Sequence, residues 1–463
     1  MRHFDLCIIG SGSGNSLIDE QLDDQSVALV EKGIFGGTCL NVGCIPTKMF
    51  VHPADLASAP ERSARLGVQL TRDKVDWPGI RDRIFTRIDA ISEGGEDWRA
   101  QAPNVTLYRA KGHFTGPNTF TAGGEEFSAD RFVIAAGSRA VVPPVAGVDP
   151  QWWDERREER PAWAHTSDTV MRTDDLPGRV VIVGGGYVAS EFAHVFASFG
   201  SDVTIMVRSQ AMLREQDAEI SEAFTRSMAR RVRLLTGVVP TEIATEADGS
   251  ARVLASDGSE HRADVVLFAT GRRPNGDTLN LPVAGVETDR EGYVVVDEHQ
   301  RTTAEHIWAL GDVCNPWQLK HVANHEAKVV QHNLLHPDQL RSSDHRFVPH
   351  AVFSEPQVAS VGLTEHQARA AGHDITVAKQ DYGSIAYGWA MEDDEHFAKI
   401  VAERGTGRIL GAHIMGPEAS VLIQPLIQAM SFGLPAAEMA RGQYWIHPAM
   451  TELVENALLA LDL

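Results

Sequence analysis

Two stretches of this chain share one grammar. The first, beginning at Phe4, is "FDLCIIGSGSGNSLIDEQLDDQSVALVEK"; the second, beginning at Arg179, is "RVVIVGGGYVASEFAHVFASFGSDVTIMVRS". In each, an apolar run ends in glycines, a helix-like segment follows, and a second apolar run closes the unit. That order is a strand–glycine turn–helix–strand motif. Its bare turn amides and helix N-terminus together cradle a pyrophosphate. Two such units about 170 residues apart predict two dinucleotide-binding domains, not a short-period repeat array.

The two turns differ in detail. Gly10-x-Gly12 opens the first, and Asn15 stands where a third glycine is expected. Glu31 ends the next strand, 21 residues after Gly10, where an acid can hydrogen-bond ribose hydroxyls. The second turn, Gly184-x-Gly186-Tyr187-x-Ala189, fits G-x-G-x-x-A. Its next strand ends in Val207 and Arg208, with Arg214 following and no acid for a 2′-hydroxyl. Arginines suit a 2′-phosphate, so NADPH is expected there rather than NADH.

The chain has 463 residues, enough for roughly three domains. A strand with a proline-rich exit, "FVIAAGSRAVVPPVAGVDP", places a boundary near residue 148. Residues 151–163, "QWWDERREERPAW", read as a charged surface excursion. The strands "VVLFATGRRPN" and "IWALGDV" again end in glycine turns. From about 346 the texture becomes that of an α+β domain with antiparallel strands. The expected division is 1–148 and 275–345 for the first nucleotide domain and a central part, 149–274 for the second, and 346–463 for the last.

A formal net charge of −21 argues against nucleic acid or an anionic membrane as partner. The uncharged stretch 419–437 contains Gln424, Pro425, Gln428 and Pro435, and reads as a buried helix, not a membrane span. No leader is visible, since the first apolar run is short and holds Asp5, so a reducing cytosol is the expected setting. Four cysteines in so long a chain make no disulfide scaffold.

That setting sharpens the reading of "GGTCLNVGCIPTK", which holds Cys39 and Cys44. A bridge needs Cα atoms roughly 4.4–6.8 Å apart. Five residues on a regular helix advance about 7.5 Å and rotate by about 140°. Only a distorted turn can therefore close the ring, and Gly43 makes one plausible. So small a loop adds little chain-entropy stabilisation. No second Cys/His pair completes a zinc site, and no metal is expected. Redox exchange is the best reading, with thiolates favoured at a helix start. Cys7 and Cys314 read as inert. Near the end, "IHPAMTELVENALL" places His447 five residues before Glu452 at a helix start, an acid–base candidate with an acid to orient it.

Taken in order, Gly10-x-Gly12, "GGTCLNVGCIPTK", "GGGYVASE", "ATGRRPN", "ALGDV" and "HPAMTE" resemble the class I flavoprotein disulfide reductases over nearly the whole chain. The resemblance implies an α/β chain of two Rossmann-like domains with a C-terminal α+β dimerisation domain. It implies FAD in the first fold, held by Gly10, Gly12, Glu31, Thr38, Lys48, His113, Gly137, Arg272 and Asp312, and NADPH in the second, held by Gly184, Gly186, Tyr187, Arg208, Arg214 and Gly271. Cys39 is then the interchange thiol, and Cys44 the charge-transfer thiol against the flavin. Lys48 pairs with Glu191 near flavin N5. His447 and Glu452 act from the partner subunit, so a homodimer and a small-molecule disulfide are the implied partners. Within the family, "GSGSGNS", "CIPTKMFVHPADLA", "QLKHVANHEAKVVQHNLLHP" and "YGSIAYGWAMED" look most similar to the mycothione reductase branch. Residues 15–24, "NSLIDEQLDD", carry no arginine for a glutathione carboxylate, which suits mycothiol's uncharged sugar–inositol head. Two other readings remain open: an NAD-linked dihydrolipoamide dehydrogenase, and a non-catalytic FAD-binding sensor.

Overall fold

The computed structural model describes residues 1–153 and 157–463. Its first sheet is built from β1 (Arg2–Ile9), β2 (Val27–Val30), β3 (Val105–Tyr108), β4 (Gly112–Gly116), β5 (Thr119–Ala122) and β6 (Glu125–Ile134) in the order β3-β2-β1-β6-β5-β4. The β3-β2-β1-β6 pairs are parallel, while β4-β5-β6 form an antiparallel meander. β2 is buried at every residue, as a parallel strand covered on both faces must be.

The second sheet takes β7 (Ala164–Thr166), β8 (Arg179–Val183), β9 (Asp202–Val207), β10 (Arg233–Thr236) and β11 (Val265–Phe268) in the all-parallel order β10-β9-β8-β11-β7. β12 (Ile307–Ala309) returns to the first sheet beside β6. The last domain carries an antiparallel sheet of β13 (His350–Val352), β14 (Val358–Gly362), β15 (Ile375–Asp381), β16 (Phe397–Glu403) and β17 (Ile409–Met415), ordered β13-β14-β17-β16-β15. The chain is thus α/β with two Rossmann-like sheets and a C-terminal α+β domain.

The helices that carry chemistry or join the domains are α1 (Gly37–Asn41), α2 (Cys44–Ala57), α3 (Trp77–Gln101), α4 (Tyr187–Phe199), α5 (Ala218–Arg231), α6 (Lys320–Leu335) and α7 (Glu452–Leu459). Residues 419–437 form two short helices, Ala419–Leu422 and Gln424–Phe432, with Leu422, Leu426, Ala429 and Met430 in the core. Among the described residues no helix is long and apolar enough to cross a membrane.

Two sequence expectations are corrected. The helix expected after the first glycine turn is absent; Gly14–Leu17 and Glu20–Leu22 form two short 3-10 turns instead. The reason lies in α3. Arg99, only 5 % exposed, donates to Asn15 Oδ1 at 2.6 Å, to the Asn15 carbonyl at 3.0 Å and to the Ile18 carbonyl at 2.7 Å. Carbonyls that a helix would use internally are thereby claimed by a buried guanidinium. Asp19 also caps the second turn from outside, accepting from the Gln21 amide at 3.0 Å.

The surface excursion at 151–163 is the second correction. Trp163 is buried, and Trp152 and Trp153 are half-buried against it and Phe268. The tryptophans anchor this stretch to the second domain's core, while Arg157, Glu158 and Glu159 face water. Asp154, Glu155 and Arg156 of the same stretch lie outside the described residues.

A buried cation joins the second and last domains. Lys399 on β16 is 3 % exposed and pairs with Asp217 at the cap of α5 (2.9 Å), Glu219 on α5 (2.8 Å) and Glu365 (2.8 Å). Removing Lys399 leaves Asp217, 2 % exposed, buried without its cation. Lys399→Met is expected to lower the unfolding free energy by about 3–5 kcal/mol, read from guanidinium titration of the holoenzyme.

Candidate active site

The distorted turn between the cysteines is a joint between two helices. α1 ends at Asn41, Val42 closes it by donating to the Thr38 carbonyl at 2.9 Å, and Gly43 starts α2. Gly43 has φ −128° and ψ −120°. A Cβ there would lie 2.9 Å from the Thr38 carbonyl oxygen, closer than real side chains come. Glycine lets α2 start tightly against α1, and Cys44 becomes the first residue of α2 within hydrogen-bond reach of Cys39.

Both are free thiols, and the proton between them is shared unequally. Cys44 is pushed down to about 7 by the Cys39 thiol that donates to it, with Lys48 adding to the effect and burial and Glu191 opposing it. Cys39 is raised well above the ordinary thiol range, because it gives its proton to Cys44 and is partly desolvated. One thiolate and one thiol thus coexist near neutral pH, the thiolate on Cys44.

Lys48, one helical turn after Cys44, donates to both oxygens of Glu191 on α4 at 2.6 Å. Glu191 is 5 % exposed and takes a further hydrogen bond from the Phe353 amide at 2.9 Å, while the Lys48 ammonium lies 4.6 Å from the Phe353 ring centroid. His194, three residues along α4, is wholly buried and meets Asp55 of α2 at 2.8 Å. The two helices are therefore tied at two levels.

The first glycine turn abuts this joint. Gly10 (φ +112°) passes so close to β6 that a Cβ would sit 2.3 Å from the Ala135 carbonyl. Gly37 at the start of α1 is as tight against Gly12, whose Cα would lie 2.6 Å from a Cβ. Glu31 reaches back to the turn, accepting from the Ser11 amide at 2.9 Å and the Gly33 amide at 2.6 Å. Asp312 accepts from Ser138 Oγ at 2.7 Å, and Arg272 donates to the same Ser138 hydroxyl at 2.8 Å and to its carbonyl at 2.9 Å. Thr38 is half-buried in α1. Gly137 (φ +66°) and Gly271 (φ +111°) leave open space beside the chain. His113 is exposed on β4. Bare amides, a ribose-spanning acid and a second acid at the far end fit FAD.

The second turn repeats the close approach of the first: a Cβ on Gly184 would sit 2.2 Å from the Ala269 carbonyl. Here a full helix follows, with Gly186 as the N-cap of α4 and open space beside it. Arg208 directly follows β9, is exposed and forms no ion pair among the described residues. Arg214 is exposed and beside Glu215 at 3.0 Å. Tyr187, first residue of α4, is exposed, with Arg272, Asp312, Glu191 and Cys44 around its hydroxyl. These residues fit NADPH.

His447 and Glu452 meet at 2.5 Å through Nδ1 and Oε1, which leaves Nε2 outward on an exposed imidazole. They sit in the last domain, near exposed Tyr444 and Ile446, and among the described residues no hydrogen bond or ion pair joins them to Cys39 or Cys44. Cys7 is buried in β1 and Cys314 is half-buried, and burial raises both thiols, which keeps them protonated. Sequence reasoning missed two groups at the site. Phe353 acts through its amide and ring face, which no motif marks. Lys320 donates to Ser13 Oγ in the first turn at 2.8 Å, and only the topology brings α6 there.

Known proteins share this arrangement. Residues 4–327 match the family model described as pyridine nucleotide-disulphide oxidoreductase, and 348–458 match the dimerisation domain of the same family. The chain is 52 % identical to mycothione reductase of Mycobacterium tuberculosis, over all of both chains. It is 32 % identical to dihydrolipoyl dehydrogenase of Mycobacterium leprae, covering all of this chain and 98 % of that one. Among solved structures it resembles the HOCl-induced flavoprotein disulfide reductase RclA of Escherichia coli, with TM-score 0.84 and 28 % identity over 98 % of this chain and 99 % of that one.

The Lys48 ammonium holds the Cys44 thiolate down, so removing it must raise the Cys44 midpoint. Lys48→Met should move the thiolate absorbance titration of the reduced protein upward from about 7, by on the order of one pH unit; an unmoved midpoint would contradict the assignment.

Proposed function

The chain belongs to the pyridine nucleotide-disulphide oxidoreductase family, and from that premise we propose that it reduces mycothione, the disulfide of mycothiol, to the thiol at the expense of NADPH. The observation that carries this reading is the Cys39–Cys44 joint, which keeps one thiol and one thiolate in contact between the two nucleotide folds. FAD, when bound, passes the electron pair of the nicotinamide to the cysteine bridge. The net reaction consumes NADPH, one proton and mycothione, and yields NADP⁺ and two mycothiols.

Each residue then has a task. Once the pair is reduced, Cys39 gives its proton to Nε2 of His447 from the second copy and attacks one sulfur of mycothione, forming a mixed disulfide and expelling the first mycothiol as thiolate. His447 of the second copy, oriented by Glu452 through Nδ1, gives that thiolate its proton from Nε2. Cys44 attacks the Cys39 sulfur, expels the second mycothiol and restores the bridge. Lys48 stabilises the Cys44 thiolate, and Glu191 fixes Lys48. Tyr187 covers the nicotinamide position until NADPH enters.

The substrate choice is supported by the full-length relative and by the local chemistry. Asp19, Glu20, Asp23 and Asp24 follow the first turn with no arginine among them, a poor surface for an anionic tripeptide disulfide. The NAD-linked reading finds less support, since Val207 and Arg208 end the strand where an acid would hold a 2′-hydroxyl. We place the reaction in the cytosol, where a labile two-cysteine ring survives only by being cycled.

Cys39→Ser should abolish mycothione turnover while FAD stays bound, and retained turnover would refute the assignment. His447→Gln should lower kcat by about 10²–10⁴-fold and leave reduction of the bridge by NADPH intact. Steady-state rates with mycothione, oxidised glutathione and lipoamide, each with NADPH and NADH, decide the substrate; lipoamide with NAD(H) as the best pair would overturn it.

A further inference from the structure

The turn that carries Asp312 is gripped from two sides at the residue before it. Gly311, at φ +76°, opens the Gly311–Val313 turn that follows β12. Its amide donates to Glu326 Oε2 on α6 at 2.7 Å. Its carbonyl accepts from the Asn315 side chain at 3.1 Å and from the Cys314 amide at 3.0 Å. Asn315 also donates to both Glu326 oxygens, at 2.9 and 3.1 Å, so carboxylate and carboxamide close a ring around the glycine. Glu326 is wholly buried, and among the described residues no lysine or arginine pairs with it. Its remaining partner is His345, whose Nε2 lies at 2.9 Å and whose ring stacks on Trp317 with centroids 4.7 Å apart. A carboxylate removed from water needs its oxygens filled, and here a turn amide fills one of them.

The same helix holds the first glycine turn. Asn324 Oδ1 accepts from Ser13 Oγ at 3.3 Å, and Lys320 donates to that hydroxyl at 2.8 Å. Gln331 donates to the Leu17 carbonyl at 3.0 Å and to Asp19 at 2.8 Å. The first turn, which lacks the helix expected after it, and the Asp312 turn are thus both fastened to about three turns of α6. We propose that Glu326 is a positioning residue of the cofactor site: by holding the Gly311 amide it sets Asp312 relative to the first glycine turn. This rests on the reading of Asp312 as an acid of the FAD site. Asp312 is then located from two directions, by Ser138 Oγ on its carboxylate at 2.7 Å and by Glu326 on the preceding amide.

The test measures FAD release from the holoenzyme, read as the flavin fluorescence gained on dilution, for Glu326→Leu and Glu326→Gln. Leucine fills the space but removes the acceptor, whereas glutamine keeps one oxygen for the Gly311 amide. Glu326→Leu is expected to raise the FAD dissociation constant by about tenfold or more, with Glu326→Gln staying within about threefold of the parent. Both are then repeated in the Asp312→Ala protein. Acting through Asp312, Glu326→Leu weakens binding there by less than about twofold. An equal loss in both backgrounds marks a general structural role and overturns the proposal, as does unaltered affinity in Glu326→Leu. Should Glu326→Leu not fold, Glu326→Asp, which keeps the charge but is one methylene short of the amide, takes its place under the same criteria. If Asp312→Ala alone leaves the dissociation constant unchanged, the cofactor reading of Asp312 fails, and the role of Glu326 falls with it.

Discussion

A carboxylate almost sealed from water must find its partners inside the protein, and Glu191 finds them in three domains at once. It lies on α4 of the second nucleotide fold, takes Lys48 from α2 of the first, and accepts the Phe353 amide from the last. Each hydrogen bond satisfies an oxygen that would otherwise be costly to bury. The ion pair therefore fixes where the cysteine helix stands relative to both nucleotide turns. The His194–Asp55 contact repeats the tie further along the same helices, and Lys399 does comparable work between the second and last domains.

The glycines act through space and through backbone freedom together, since Gly10, Gly37 and Gly184 all have positive φ. Gly10 and Gly184 occupy equivalent places in the two folds, each pressed against a carbonyl of the adjoining strand's exit, at Ala135 and Ala269. Gly37 and Gly43 then bring the cysteine-bearing joint onto the first turn. Nothing larger fits at these positions, so turn, joint and sulfur pair form one packed unit whose parts cannot shift separately.

Much of this was legible in the sequence because the chemistry sits in short local patterns. Both glycine turns, the cysteine joint and His447–Glu452 are readable as motifs, the Lys48–Glu191 partners follow from the family resemblance, and the antiparallel texture after residue 346 shows in strand-like runs such as "FAKIVAERGTGRILGAHIMG". What escaped depends on contacts between distant segments. Residues 14–25 have a helix-like pattern, yet Arg99, more than 80 residues away, takes the carbonyls a helix needs. "QWWDERREERPAW" looks solvated by charge, but its tryptophans find a core supplied by β11. Lys320 carries no local signal at all.

The unequal sharing of one proton between Cys39 and Cys44 has an electrochemical consequence. Below the Cys44 midpoint of about 7, closing and opening the ring moves two protons with two electrons; above it, one. Each proton contributes about 30 mV per pH unit to a two-electron couple. The potential of the pair therefore falls at about 59 mV per pH unit on the acid side and about 30 mV on the alkaline side, with the break near neutrality. The reducing strength of this ring is accordingly least sensitive to acidity on the alkaline side of that break.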